Sequence, residues 1–168
     1  MVICGGIGVI LALLFWFTQP WLLRRQVELK TSSTAGNMKD IGLVLREYAD
    51  DHSGKFPIEL SVLVEEHYMT SGSIWICPGM GRRAPASIKE IRLGQHDYIY
   101  LAAGANLNSL AHPQDIVVVM HSRAGALPGH WVVVLFADAH VECIISENPR
   151  EYFRNHTWLV ANEAHALP

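Results

Sequence analysis

The sequence predicts an α+β protein: a transmembrane helix continues into a long amphipathic helix packed on a small antiparallel sheet, and a C-terminal helix follows. Three observations predict this fold. The first 23 residues contain a long run without charge, the next segment carries apolar residues at helical spacing, and four β-rich runs follow residue 96. The chain therefore divides into an anchor, residues 1–23, and a globular domain, residues 24–168.

The composition excludes one broad class of partner. The chain has 168 residues, enough for one domain with a hydrophobic core. Lys and Arg total 13, Asp and Glu total 16, and the net charge is −3 with neutral His. Because a nucleic-acid-binding domain usually presents a basic face, the sequence predicts no nucleic-acid partner.

The anchor is predicted from residues 2–23, which contain no charged side chain. About 20 apolar residues are needed to cross the bilayer core as a helix. A secretory signal peptide is the alternative, but its apolar region is usually only about 7–15 residues long, between a basic start and small residues. No Lys or Arg precedes this run, and the bulky Phe15, Trp16 and Phe17 stand where small residues would be expected. The pattern favours a retained anchor.

The orientation of the anchor has two interpretations. Arg24 and Arg25 follow the apolar run and no basic residue precedes it, so the positive-inside rule places the globular domain in the cytoplasm. A basic leader upstream of Met1 would reverse the bias and place the domain on the other side of the membrane.

Two helices are predicted at the start of the globular domain. The long helix covers residues 24–53, and Gly54 follows it in the position of a helix stop, with Pro57 preventing resumption. A short helix is predicted at residues 58–69. The apolar stripe of the long helix consists of Met38, Ile41, Leu45 and Tyr48.

The second half of the sequence predicts a sheet over residues 96–145 and a helix over residues 147–162. The strand candidates are the runs "DYIYLAA", "DIVVVMHS", "HWVVVLFA" and "HVECII". Only Asp138 and Ala139 separate the last two runs, which is the spacing of a two-residue hairpin loop. A hairpin of this kind prefers Gly where φ is positive, so positive φ is expected at Ala139. The aromatic residues Tyr152, Phe153 and Trp158 are expected to pack the last helix on the sheet.

The cysteines and a basic segment are further candidate sites. Cys77 and Cys143 are expected to be buried free thiols, although the sequence leaves open whether they meet. Residues 79–94 read as an exposed loop that carries several basic side chains. A solvated loop and a docking surface for an acidic partner are the two interpretations of this segment.

The stretch "FADAHVE", residues 136–142, is the strongest candidate for chemistry. Alternate residues on a strand share a face, and imidazole and carboxylate groups are suitable zinc ligands. The candidate ligands are His121, His130, His140 and Glu142. Against a metal site, Asp138 and Ala139 are needed for the turn, where Asp commonly accepts hydrogen bonds from backbone N–H groups. We therefore expect a hairpin turn with no metal, no cofactor and no catalytic residue.

Two groups of segments stand out by their order. The first is "NMKDIGLVLREYADDHSGKFP" with "LSVLVEEHYMTSGSIWICPG", which contains Gly54, Pro57, Cys77 and Pro78. The second is "DYIYLAAG", "DIVVVMHS" and "HWVVVLFADAHVE", which contains Asp138 and Ala139. In this order the segments resemble bacterial type II secretion pseudopilin-like proteins of the subgroup named for its H-x9-DG motif, where Asp138 matches the motif and Ala139 replaces its Gly. Pro20 suits the Pro near the end of a pilin-like membrane segment, and counting back from it implies a truncated or degenerate prepilin N-terminus.

The resemblance implies a pilin-like fold and a structural or assembly role in a type II secretion or type IV pilus-like apparatus. Implied partners are other pseudopilin-like subunits through the N-terminal helix, the inner membrane and secretion-apparatus proteins. The implied location is the inner membrane, with a single span and a periplasmic domain. The alternative is a membrane-tethered extracytoplasmic domain that binds a metal ion or an envelope glycan. Neither function is enzymatic.

Overall fold

The structure is a computed structural model that describes residues 3–70, 72–78, 82–121 and 131–145. Within these ranges, the side chains of residues 3–14, 16–18, 20, 23, 120 and 121 are not described. The predicted C-terminal helix at residues 147–162 lies outside the described residues, as does His130.

One helix dominates the fold. Helix α1 runs without interruption from Ile3 to Asp51, a total of 49 residues. At 1.5 Å per residue it is about 74 Å long. The sequence predicted this continuity from the anchor into the amphipathic segment.

The predicted anchor, residues 1–23, belongs largely to the part of α1 whose side chains are not described. Among the residues that the structure does describe, no helix combines the length and the apolar character needed to cross a membrane.

Two successive residues with positive φ follow helix α1 and terminate it. Ser53 has φ 57° and Gly54 has φ 85°, and the Gly54 N–H donates to Ala49 O at 2.7 Å. A Cβ at Gly54 would lie 2.3 Å from Asn108 Nδ2. Gly54 is therefore needed for both its backbone conformation and the close contact with the segment around Asn108.

The connecting segment between α1 and the sheet contains two short α-helices. Helix α2, Val62–Glu65, is shorter than the predicted helix at 58–69, because His67 adopts φ 66° and the Met69 N–H returns to Leu63 O. Helix α3, Ile88–Arg92, lies in the segment that was expected to be a loop. Among the described residues, 3₁₀ turns occur at Ser73–Trp75 before the sheet and at Leu107–Ser109 and Pro113–Asp115 between the first two strands.

The start of α3 carries a sequence signal that the loop prediction missed. Ser87 Oγ accepts from the Glu90 N–H, and Glu90 Oε2 accepts from the Ala86 N–H. Ser87 and Glu90 thus have the S-x-x-E spacing that typically marks a helix N-terminus.

The sheet has four antiparallel strands in the order β1-β2-β3-β4, which confirms the predicted antiparallel sheet. The strands are Tyr98–Tyr100, Val117–His121, Trp131–Phe136 and Val141–Ile145. Helix α1 packs across β3 and β4.

Two apolar clusters lie on the two faces of the sheet. The larger cluster joins the α1 stripe to β3 and to the segment between α2 and β1. Its largest fully buried members are Trp75, Met38, Ile41, Leu45 and Leu63. The smaller cluster contains Val117, Val132, Val134 and Phe136. Burial on both faces explains the uninterrupted apolar run of β3.

Gly42 sets the distance between α1 and the sheet. A Cβ at this position would lie 2.6 Å from Leu135 Cδ1 and 3.2 Å from Ala139 Cβ. The Leu135 methyl group can rotate away, but Ala139 is part of a hydrogen-bonded turn. A larger residue at position 42 would therefore push α1 away from the hairpin.

We predict that Gly42→Ala destabilises the domain and that Gly36→Ala, in the same helix, stabilises it. Overpacking typically costs about 1–3 kcal/mol, whereas replacing an open helical Gly by Ala gains up to about 1 kcal/mol. A Cβ at Gly36 would meet no atom within 4 Å, so Gly36→Ala isolates the gain in helix propensity. Urea denaturation of the full chain in detergent measures both variants. Equal midpoints for the two variants would contradict the close approach at Gly42.

Candidate functional site: the β3–β4 turn and the protruding helix

Phe136 and His140 face each other across the β3–β4 turn, and a loop of three residues, Ala137 to Ala139, connects them. The Phe136 N–H donates to His140 O at 3.0 Å, and the Ala139 N–H donates to Phe136 O at 2.9 Å. Ala139 has φ 68°. A three-residue loop whose last residue is left-handed is a common hairpin connection. The predicted two-residue loop is therefore wrong by one residue, whereas the expectation of positive φ at Ala139 is confirmed.

The Asp138 carboxylate forms hydrogen bonds within the loop. Its Oδ1 accepts from the His140 N–H at 3.0 Å and lies 2.6 Å from His140 Nδ1. The His140 ring stacks on Phe136 with a centroid distance of 4.1 Å. Burial by itself raises the pKa of Asp138, but the hydrogen bonds from His140 outweigh it and the net pKa lies below the ordinary value of 3.8. Asp138 is thus an ionised turn residue.

Two side chains of helix α1 donate hydrogen bonds to the same turn. Lys39 Nζ donates to Ala139 O at 2.7 Å, and Arg46 Nη1 donates to Asp138 O at 3.2 Å. Ala139 itself is buried beside Gly42. The two cationic side chains satisfy turn carbonyls that point toward the helix, so the turn serves as the docking point for α1.

Of the four candidate metal ligands, the structure brings His140 and Glu142 close to each other. His140 Nε2 lies 3.7 Å from Glu142 Oε1, and His140 Nδ1 is already bonded to Asp138. The side chain of His121 and the whole of His130 lie outside the described residues. Within the described ranges, no three His, Cys, Asp or Glu side chains form a group that could hold a metal ion.

Cys77 and Pro78 belong to a segment docked on α1 and on a buried carboxylate. Cys77 Sγ lies 3.0 Å from Thr34 Oγ1, and the Cys77 N–H donates to Asp97 Oδ2 at 3.0 Å. Arg82 Nη1 donates to the other oxygen of Asp97 at 2.6 Å. Burial raises the pKa of the Cys77 thiol, which keeps it protonated and unreactive.

The two cysteines of the domain do not pair. Cys77 is a buried free thiol, as expected, but Cys143 is exposed on β4, which corrects the expectation that both are buried. Sequence reasoning also missed Asp97, the partner of Arg82. Its only sequence signal is a carboxylate directly before a strand-like run.

Gly54 and Pro57 join the end of α1 to the loop that follows β1. Pro57 O accepts from Tyr100 Oη at 2.8 Å and from the Gly104 N–H at 3.1 Å. The Phe56 N–H donates to Ala105 O at 2.8 Å. The Gly-x-Phe-Pro stretch therefore has a structural role in the described part of the chain.

The basic segment uses its arginines internally. Arg82 pairs with Asp97, and Arg83 pairs with Glu90 at 2.8 Å. Arg92 bridges two carboxylates, Glu59 and Glu65. These pairs favour the interpretation of a solvated surface over a docking site for an acidic partner.

The N-terminal part of α1 extends away from the sheet. Four of the large apolar side chains described there are exposed: Phe15, Trp21, Leu22 and Leu29. The Arg25 guanidinium lies over the Trp21 ring at 5.6 Å. The core positions of the helix, in contrast, begin near Thr34 and Met38. Helix α1 thus has a C-terminal part that packs against the sheet and an N-terminal part that carries exposed apolar side chains.

Comparison with known proteins adds no relative. No family model matches the chain, and neither a curated protein nor a solved structure matches it.

We predict that Ala139→Gly is more stable than its neighbour variant Ala137→Gly by about 1–2 kcal/mol, the cost of a left-handed L-residue. Both alanines are buried, so each variant loses a methyl group worth about 0.8 kcal/mol, but only Ala139 has positive φ. Relative to the native chain, the net gain of Ala139→Gly is expected to be no more than about 1 kcal/mol. Urea midpoints measure the three proteins. A midpoint for Ala139→Gly at or below that of Ala137→Gly would show that the turn is not strained.

We predict that Asp138→Asn destabilises the domain at neutral pH and that this difference disappears in acid. The folded-state pKa of Asp138 is lowered, so its contribution is fully present above its ordinary value of 3.8 and is lost as pH falls through the folded value. Stability of both proteins is measured between pH ~5 and ~2.5, a range that spans the ordinary pKa of Asp138. Asp115→Asn, an exposed carboxylate without an ion pair among the described residues, is the matched control. A pH-independent difference for Asp138→Asn would contradict a charge-dependent turn.

Proposed function

We propose that this chain is a structural or assembly subunit, pseudopilin-like, of a type II secretion or type IV pilus-like apparatus. The observation that carries the proposal is the division of α1. Its C-terminal part, from about Met38, forms one wall of the core, whereas exposed apolar side chains occur from Phe15 to Leu29. A domain that needed α1 only for its own core would have no use for this extension.

In this proposal the charge-free residues 2–23 span the inner membrane and contact the same segment of neighbouring subunits. The globular domain lies on the periplasmic side. Its partners are other pseudopilin-like subunits and secretion-apparatus proteins, and no nucleic acid is involved. The domain contributes a rigid body whose connecting loops are fixed by internal hydrogen bonds and ion pairs.

A second candidate function is a membrane-tethered extracytoplasmic domain that binds a metal ion or an envelope glycan without polymerising. The observation in its favour is the position of His140, whose ring nitrogens lie 2.6 Å from Asp138 and 3.7 Å from Glu142. The stacking of His140 on Phe136 and its bond within the turn supply a structural reason for the same residue, so we favour the assembly role.

Cross-linking between anchor segments tests the proposed function. In membranes containing the full chain with Cys143→Ser, oxidation is expected to join neighbouring copies through Cys4. Cys4→Ser is the control, and His130→Ala and His140→Ala are expected to leave the yield unchanged. Absence of the Cys4 cross-link, together with stoichiometric zinc binding that is lost in the histidine variants, would support the tethered binding domain instead.

A further inference from the structure

Three side chains of α1 lie together at the end of the charge-free segment: Trp21, Arg24 and Arg25. The Arg25 guanidinium lies over the Trp21 ring, 5.6 Å from its centroid. Trp21 is 61% exposed, and the Arg24 side chain is 84% exposed. At about 100° per residue, Arg24 and Arg25 lie roughly 60° and 40° to either side of Trp21 around the helix axis. The three residues therefore share one exposed side of α1, and we call them the exit cluster.

The arginines of the exit cluster differ from the other arginines that the structure describes. Those others all bond to groups of the globular domain: Arg46, Arg82, Arg83 and Arg92. Among the described residues Arg25 pairs with no carboxylate, since its contact is the Trp21 ring. Arg24 lies 3.7 Å from Glu28, and both side chains are mostly exposed, so this ion pair is weak. The positive charge of the cluster is thus available to an anion outside the chain.

The stacking of Arg25 on Trp21 leaves its hydrogen-bond donors available. A cation–π contact uses the face of the guanidinium group. The N–H groups lie in the plane of the group and point outward, where they match two oxygens of one phosphate. Trp21 therefore orients Arg25 without occupying its donors, and Arg24 supplies a second cation beside it.

The position of the exit cluster along α1 matches the level of lipid headgroups. As a helix, residues 2–23 are about 33 Å long, and the hydrocarbon core of a bilayer is about 30 Å thick. If these residues span the membrane, Trp21 lies in the last turn of the span. Arg24 and Arg25 then lie about 4–6 Å farther along the axis, in the headgroup layer. Indole rings are enriched at this interface.

We propose that the exit cluster binds the phosphate group of an anionic phospholipid in the leaflet that faces the globular domain. The proposal rests on the proposed function, which places residues 2–23 in the membrane. A zwitterionic headgroup would bring its own cation toward two arginines, whereas phosphatidylglycerol carries no cation. The cluster therefore selects a lipid with a net negative charge.

The bound lipid lies close to the globular domain. Thr31, the first buried residue described on α1, follows Arg25 by six residues, or about 9 Å along the helix. Binding at the exit cluster therefore sets the height of the domain above the membrane surface.

Quenching of Trp21 fluorescence by brominated phospholipids tests the lipid preference. The full chain is reconstituted in two sets of vesicles of the same composition, a minority of phosphatidylglycerol in phosphatidylcholine. In one set the phosphatidylglycerol is brominated, and in the other an equal amount of the phosphatidylcholine. Each protein is also measured with Trp21→Phe, and this signal of the remaining tryptophans is subtracted. The expected result is stronger quenching of Trp21 by brominated phosphatidylglycerol, which measures its enrichment at the cluster.

Charge variants assign the enrichment to the exit cluster. Arg24→Gln and Arg25→Gln are each expected to lower it about two- to five-fold, the range for one basic side chain at an anionic surface. Glu28→Gln is expected to raise it, because this change frees Arg24 and removes a charge that repels phosphate. Lys55→Gln is the matched control: Lys55 is exposed and follows the C-terminal end of α1, about 39 Å from Arg25, so the enrichment stays unchanged.

The contrary outcomes separate this proposal from the proposed function. If the two brominated lipids quench Trp21 equally, or if Arg25→Gln has no more effect than Lys55→Gln, the exit cluster does not bind a headgroup, and the proposed function stands. If neither lipid quenches Trp21, this residue does not lie in the bilayer, and both proposals fall.

Two further measurements separate lipid binding from other sources of the same charge effect. Inorganic phosphate added at constant ionic strength is expected to leave the enrichment unchanged; its loss would identify a site for free phosphate and overturn the proposal. Arg25→Lys keeps the charge without the planar guanidinium, and is expected to retain only part of the enrichment. Full enrichment in Arg25→Lys would show a general charge effect instead of a site built on the stacked Arg25.

Discussion

The contact between α1 and the β3–β4 turn is the constraint on which the rest of the domain depends. Gly42 permits the approach, and Ala139 fills the space beside it with a single methyl group. Lys39 and Arg46 then reach the carbonyls of Ala139 and Asp138. These two bonds supply donors to carbonyls of the turn, so the close approach is hydrogen-bonded as well as sterically possible.

A few polar groups hold the segments that connect α1 to the strands. Asp97, almost completely buried, fixes the backbone at Cys77 and the side chain of Arg82. Pro57 fixes the loop after β1 through Tyr100. These bonds hold long stretches without regular structure against the core, where their backbone groups need partners. These few polar contacts therefore fix the positions of the connecting segments over the apolar clusters.

Most of the arginines that the structure describes, and one lysine, form bonds within the same chain. Lys39, Arg46, Arg82, Arg83 and Arg92 all bond to carbonyls or carboxylates of the same chain. Lys39 and Arg46 are exposed on α1 beside the carboxylates Asp40, Glu47 and Asp50, but their charged groups bond to carbonyls of the β3–β4 turn.

The sequence by itself determined the elements with strong local patterns. The apolar spacing in residues 38–48 predicted the buried side of α1, and the β-branched runs predicted four antiparallel strands. Gly54 predicted the helix end, because few other residues adopt its conformation. The positive φ of Ala139 was also predicted, since the hairpin requires it at a fixed position after β3.

Only the tertiary structure decided the features that depend on distant partners. Arg82 bonds Asp97 and Arg92 bonds Glu65, which lie 15 and 27 positions away, and the exposure of Cys143 depends on which elements cover β4. His140 shows that a near neighbour can also escape sequence reasoning: from sequence it resembled a metal ligand beside Glu142, and in the structure it bonds Asp138 and stacks on Phe136. A local pattern fixes which face of a strand a side chain occupies, but its role depends on which groups the fold brings within hydrogen-bonding distance.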